Sequence, residues 1–305
     1  MPQPEITWKS WAMVSILGLT WGATFLVTEL ALDAMPPFWL AAGRIGFAAI
    51  LMLAIWQARG GKLFDAPPPR SAQMSLIAIG GFSTGIPFVL LAWGQQFTTS
   101  GFAGVSMASV GLIVLPLAHI LIPGEQMTLR RTLGFGIGFV GVCVLIGGQA
   151  FDATGSELEW AGRLACVSAA CCYGISSVLM RRLPPVDSIG LSTLLLVIAA
   201  AMVIPLAVFV EGTPPLPSLK TLGIIAFLGL IPTAAANLLR VLVIRSAGPV
   251  FMSLTNYQVP VWSILLGAWL LNEPLPPTLI FALALILGGV CLSQWGALKR
   301  LFSRG

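Results

Sequence analysis

The chain has 305 residues, of which 57% are hydrophobic and only 9% charged, and its mean hydropathy is +0.94. A soluble domain is about 25% charged, so too few polar side chains are present to cover a wet surface, and a water-soluble fold is excluded. The net charge of +5 is therefore read as membrane orientation before nucleic-acid binding. One histidine and five cysteines, without zinc or iron–sulfur spacing, leave little material for metal or redox chemistry, and no cofactor is expected.

At about 20 apolar residues per crossing, ten spans are predicted: 11–31, 37–57, 72–93, 98–121, 131–148, 160–181, 188–210, 220–241, 248–271 and 278–297. Prolines at Pro36-Pro37, Pro67-Pro68-Pro69, Pro184-Pro185 and Pro214-Pro215 separate them, because a fixed φ and a missing N–H end one helix before the next begins. The first span is expected to be retained rather than cleaved as a signal peptide, since its apolar run is long and carries Glu29. The five cysteines, Cys143, Cys166, Cys171, Cys172 and Cys291, all fall inside spans, where thiols act as small apolar groups.

With the N-terminus inside, the cytoplasmic side collects Lys9, Arg59, Lys62, Arg70, Arg130, Arg131, Arg181, Arg182, Arg245, Lys299, Arg300 and Arg304. The outer side holds Arg163 and Lys220. This bias predicts an inner-membrane protein with both termini in the cytoplasm, because Lys and Arg near span ends resist translocation.

The halves repeat each other. Gly141-Val142-Cys143-Val144-Leu145 matches Gly289-Val290-Cys291-Leu292-Ser293, and Glu125 matches Glu273, both at an offset of 148; Pro36-Pro37 and Pro184-Pro185 keep that offset, while Trp21-Gly22 and Tyr173-Gly174 differ by 152. Residues 1–148 and 149–305 then each hold five spans. Five is odd, so the second copy enters from the opposite side, and the expected fold is an all-α integral membrane protein of two inverted five-helix repeats. Such repeats are a mark of secondary transporters, whose two halves exchange conformations around a midplane site.

The residues in which this pattern is carried are Trp21-Gly22-Ala23-Thr24-Phe25 in the first helix, Ala41-Ala42-Gly43-Arg44-Ile45-Gly46-Phe47-Ala48 in the second, and Pro260 followed by Glu273-Pro274 and a glycine-rich last helix. In these, over nearly its whole length, the chain resembles the EamA-type drug/metabolite transporter family. The resemblance implies export or uptake of amino acids, drugs or other small metabolites. One departure is that the partner of Pro260 at the same offset is Leu112, with the first repeat's proline a turn later at Pro116.

Polar side chains are costly in the bilayer core, so those present mark the bundle interior or a wet cavity. Trp21 and Tyr173, at equivalent repeat positions, have aromatic faces suited to a ligand ring or a gate. Thr24 lies one turn from Trp21. Asn237 after Pro232, and Asn256 and Tyr257 just before Pro260, sit where prolines free carbonyls and amides can pair with a substrate. Ser106 and Ser109 on the fourth helix and Ser253 on the ninth are candidate hydroxyls for the same cavity. Gln95 and Gln96 read as a solvated helix end. Glu29 and Arg44 are expected to form an ion pair that holds the outer gate or the fold, since a charge below the headgroups needs a partner. Arg240 is expected to snorkel to the cytoplasmic interface, attraction of an anionic substrate group being the alternative. His119 reads as a hydrogen-bonded helix end rather than a proton site.

The expected function is a carrier that moves small metabolites, most of all amino acids with aromatic or other hydrophobic side chains, out of the cytoplasm by alternating access. A multidrug or metabolite carrier with proton coupling is the alternative. A membrane-embedded enzyme acting on lipid would need clustered carboxylates, a partnered histidine or a metal site, and a channel would need a filter-like segment; neither is apparent. The expected partners are a small-molecule substrate and the lipid bilayer, with no nucleic acid. Gly134-Phe135-Gly136-Ile137-Gly138 is spaced for close helix contact; a monomer suffices for such a cavity, and a dimer is compatible with that face.

Overall fold

A computed structural model describes residues 6–64, 69–98, 103, 104, 106–124, 126, 128–147, 157–271, 277–293 and 295. Among them the regular structure is helical, with no strand. The helices are α1 (Trp8–Leu32), α2 (Pro37–Ala58), α3 (Arg70–Gly94), α4 (Val110–Leu121, entered through a 3-10 turn at Met107–Ser109) and α5 (Leu129–Gly147). They continue with α6 (Glu159–Arg182), α7 (Ser188–Glu211), α8 (Leu219–Ala247), α9 (Thr255–Leu271, after a single turn Pro249–Met252) and α10 (Pro277–Ser293). Six of these, α1, α2, α3, α6, α7 and α8, are long and apolar enough to cross a membrane. Their outward faces carry exposed apolar side chains such as Ile50, Ile77 and Phe209, as lipid contact requires. In the predicted fourth span, 98–121, residues 103, 104 and 106 are helical ahead of the 3-10 turn, while residues 99–102 and 105 lie outside the described residues, as do Glu125 and Glu273. The ninth, 248–271, is interrupted by a turn at Ser253-Leu254.

Local sequence explains where the helices begin. Thr7 and Ser10 form a capping box at the start of α1, and the Asp187 and Ser218 side chains accept the Gly190 and Thr221 amides at α7 and α8. At α2, which opens on proline, the cap comes from a distant residue: the Glu211 carboxylate accepts the Phe38 and Trp39 amides at 3.0 and 2.9 Å. At the other end the Asp187 amide donates to the Leu63 carbonyl at 3.0 Å. α2 and α7 therefore pack antiparallel along their length.

Small residues set the remaining contacts. α1 runs beside α9 in the same direction, Gly18 against Gln258 and Gly22 against Trp262, with the Ser263 hydroxyl donating to the Gly22 carbonyl at 2.9 Å. α6 lies beside α4, where Gly174 meets Ile113; α2 beside α8, where Gly43 meets Ile225 and Gly229 meets Phe47; and α3 beside α7, where Gly80 meets Ile198. α5 and α10 cross antiparallel at Gly134, Gly138 and Gly289, so closely that a Cβ on Gly134 would stand 2.5 Å from the Ser293 nitrogen.

Two helices are broken at the same distance from their starts, each after 11 residues. α3 widens into a π segment at Gly81–Gly85 and α8 into another at Leu230–Ala235. Each is associated with a proline, Pro87 and Pro232, which cannot donate to the carbonyl four residues back. The carbonyls so released are those of Ser83 and Leu228, and both are taken by side chains that face the interior.

Candidate functional site

The helices enclose a cavity of about 950 Å³, its open mouth included, between α1, α2, α3, the start of α4, α6, α8 and the start of α9. Its wall is mostly apolar, from Phe25, Leu40, Phe88, Leu91, Val110, Met252 and Val259. Into this wall are set Trp21, Thr24, Thr28, Arg44, Ser83, Gln95, Tyr173, Ser177, Asn237, Arg240, Ser253 and Asn256.

The prolines organise its polar groups. The Pro232 carbonyl accepts the Trp21 indole N–H at 3.1 Å, which pins the ring across the cavity edge. The Leu228 carbonyl, released by Pro232, accepts the Thr233 hydroxyl at 2.7 Å, and the Thr233 oxygen in turn accepts Arg44 Nε at 3.2 Å. The Ser83 carbonyl, released by Pro87, accepts Arg240 Nη1 at 3.2 Å. Arg240 Nη2 also donates to the Ser176 and Ser177 hydroxyls at 2.8 and 3.0 Å and to the Tyr173 carbonyl at 3.3 Å. Both buried arginines are thus tied to the break in a helix. Each also lies on an aromatic face, Arg44 4.3 Å from the Phe88 ring centre and Arg240 5.4 Å from that of Tyr173. The amides are less constrained: Asn237 Nδ2 reaches Thr84 Oγ1 at 3.5 Å and Asn256 Nδ2 donates to the Ser253 carbonyl at 3.2 Å.

Of the residues picked out from the sequence, Trp21, Thr24, Tyr173, Asn237, Ser253, Asn256 and Arg44 meet in this cavity. Tyr257 does not line it. One step along α9 turns it about 100° from Asn256, so its ring packs on Phe135 at 5.5 Å and touches Gly138 instead. Ser106 is buried facing α6, its hydroxyl on the Ala103 carbonyl and beside the Cys166 thiol. The expected Glu29–Arg44 ion pair is not formed: Glu29 is exposed on α1, while Arg44 turns between α2 and α8 to Thr233. Nor does Arg240 snorkel, because the serines and carbonyls of α3 and α6 hold it in the interior at 2% exposure. Gln95, read as a solvated end, lines the cavity and reaches the Phe25 carbonyl at 3.5 Å. His119 is exposed on α4.

Ser83, Ser177 and Thr28 are lining groups that sequence reading passed over, and Arg240, read first as snorkelling with an anionic substrate as the alternative, lines the cavity beside them. Arg240 carried a usable signal: once loops and helix ends account for fourteen of the 16 basic residues, Arg44 and Arg240 are the two that remain within spans. It also lies one turn after Asn237, on the same face.

These features define a polytopic helical membrane protein with an internal, solute-sized and cation-bearing cavity, bounded by two broken helices. The model of the EamA-like transporter family matches residues 8–147 and again residues 160–295, and the chain belongs to that family of membrane transporters. The chain is 27% identical over 282 residues to the uncharacterized inner membrane transporter YedA of Escherichia coli K12, covering 92% of this chain and 89% of the relative. It is 24% identical to the S-adenosylmethionine/S-adenosylhomocysteine transporter of Chlamydia muridarum, covering 91% and 89%. A solved crystal structure has the same fold, with a TM-score of 0.74 at 20% identity over 94% of this chain and 97% of that one.

Proposed function

We propose that the chain is a secondary carrier of ten membrane spans in two inverted repeats, residues 1–148 and 149–305, which exports small amphipathic metabolites, amino acids among them, by alternating access. It is a transporter rather than an enzyme on this reading, set in the inner membrane with both termini cytoplasmic. The observation that carries it is the pair of broken helices around one enclosed cavity: Gly80 precedes the break in α3 and Gly229 the break in α8, 149 residues apart. Contacts exchange in the same way, α1 with α9 against α6 with α4, and α2 with α8 against α7 with α3. The family match to each half supports the same division. Broken helices at the midplane are where carriers bind solute and bend, since their unpaired backbone groups lie in a cavity rather than in lipid.

In this mechanism Trp21, Phe25, Phe88 and Tyr173 receive the apolar body of the solute. Thr24, Ser253, Asn237 and Asn256 contact its polar end. Trp21 on the Pro232 carbonyl and Arg240 on the Ser83 carbonyl join the halves across the cavity, and breaking and remaking such bonds lets one half rock on the other.

The test is counterflow: proteoliposomes preloaded with unlabelled amino acids or organic acids are given labelled phenylalanine, tryptophan or threonine outside. Exchange driven by a preloaded solute is expected, with the solutes chemically unchanged. Solute conversion by the purified chain in detergent, or no exchange with any preload, overturns the carrier.

A further inference from the structure

We infer that the cavity selects solutes of net negative charge, a carboxylate or similar organic anion on an apolar or aromatic body, with Arg44 as the anion-binding residue and Arg240 as the charge that supports it. The inference rests on the carrier reading for the passage of that solute, but the binding site stands independently of it.

Both arginines line the cavity and are buried, Arg44 at 9% and Arg240 at 2% exposure. Arginine stays protonated in any protein setting, so the cavity holds two permanent cations. Among the described residues neither is in an ion pair, and no Asp or Glu lines the cavity. Their partners are the Thr233 hydroxyl, the Ser83 and Tyr173 carbonyls, the Ser176 and Ser177 hydroxyls, and two ring faces. These are neutral groups that spread a charge without cancelling it. A cation removed from water and left uncompensated is costly, and that cost is relieved when an anion enters.

The hydrogen-bonding capacity points the same way. Arg44 is held only through Nε, so among the described residues both terminal nitrogens lack a hydrogen bond. That pair is the edge which meets a carboxylate in two parallel bonds. Arg240, by contrast, is bonded through both of its terminal nitrogens and acts as a fixed charge. Arg240 lies over the Tyr173 ring and Arg44 over that of Phe88, and both rings and both guanidiniums line the same cavity.

An ammonium group finds the reverse. The carbonyls of Pro232, Ser83 and Tyr173 already accept from donors, and the remaining side-chain acceptors of the lining are neutral amides and hydroxyls, with no carboxylate to match an ammonium. A zwitterion thus gains at one end and is repelled at the other, whereas a monoanion gains only. The apolar wall of Phe25, Phe88 and Leu91 suits the rest of the solute.

The experiment compares four near-isosteric probes on the full purified chain in lipid nanodiscs, by isothermal titration: 3-phenylpropionate, its amide, phenylalanine and phenethylamine. The carboxylate is expected to bind about tenfold or more tightly than the amide, the contribution of a charge-assisted hydrogen bond, and more tightly than phenylalanine, with phenethylamine weakest. R44Q is expected to bring the acid down to the amide, and R44K to recover part of the preference. Phenylalanine or phenethylamine binding as tightly as the acid, no heat from the acid at millimolar concentration, or a folded R44Q that binds the acid unchanged would each overturn the proposal. Should R44Q not fold, the ranking of the four probes on the unsubstituted chain decides. Counterflow with the same probes separates the two readings: acid binding without exchange sinks the carrier and leaves the anion site, while exchange of phenylalanine without preference for the acid does the opposite.

Discussion

Single contacts carry unequal weight in this fold. The Trp21 indole N–H on the Pro232 carbonyl joins helices 211 positions apart in sequence, and Trp21→Phe removes that bond while keeping the aromatic face. An interhelical hydrogen bond in a membrane protein contributes about 0.6 kcal/mol, so W21F is expected to lower the melting temperature in detergent slightly while slowing counterflow more than stability alone explains. At Gly134 the neighbours are backbone atoms of α10, the Gly289 carbonyl among them at 2.6 Å from an added Cβ, and backbone cannot swing aside. Gly134→Val is expected to lose about 1–3 kcal/mol, as overpacking does. Gly136, with nothing within 4 Å of an added Cβ, is the control, and G136A should melt with the unsubstituted chain. Some of this was legible in the sequence: the Gly134-Phe135-Gly136-Ile137-Gly138 spacing announces close packing. Which glycine faces the partner helix was not, because that depends on the rotation of α5 about its axis.

At the scale of helices, the breaks in α3 and α8 matter most. Pro232→Ala restores an N–H that can reach the Leu228 carbonyl and compete with the Thr233 hydroxyl there. The expected result is a higher melting temperature and a lower exchange rate, because straightening α8 removes a bend point and loosens Arg44 through Thr233; a faster carrier would show that the break is only packing. The cap on α2 is equally specific. Glu211→Ala removes the acceptor for two amides, a loss of about 1 kcal/mol, visible as a lower melting temperature with binding unchanged. Proline positions told where helices would bend, but not which side chains would take the released carbonyls: both come from α8, Arg240 reaching across to Ser83 of α3 and Thr233 turning back on Leu228. The same limit explains Glu29 and Arg44: adjacency in sequence order suggested an ion pair, and rotation of α1 turned Glu29 outward while Thr233 took Arg44.

For the whole molecule, charge placement and repeat direction make a joint prediction. In a chain freed of native cysteines, a cysteine at exposed Lys220 is expected to react with a membrane-impermeant maleimide in intact cells, and one at exposed Arg59 only after permeabilisation. Labelling of both from outside would overturn the inverted arrangement and the cytoplasmic placement of the termini together. The proposed inverted arrangement accounts for the antiparallel packing of α2 with α7 and for the correspondence of the α1–α9 pair to the α6–α4 pair.

Composition, hydropathy and the offset of 148 between halves determine a helical membrane chain and its membership of a transporter family, because lipid admits few backbone solutions and a repeat is visible in one dimension. The cavity's chemistry was decided by tertiary structure alone. Arg240 and Arg44 are charged residues in apolar helices to the sequence; only packing shows that one is bonded to serines, that the other is held through Nε alone, and that among the described residues no carboxylate lines the cavity with them. The physical reason is that membrane burial constrains which residues are inside, whereas the partner each one meets depends on how helices distant in sequence are rotated against each other.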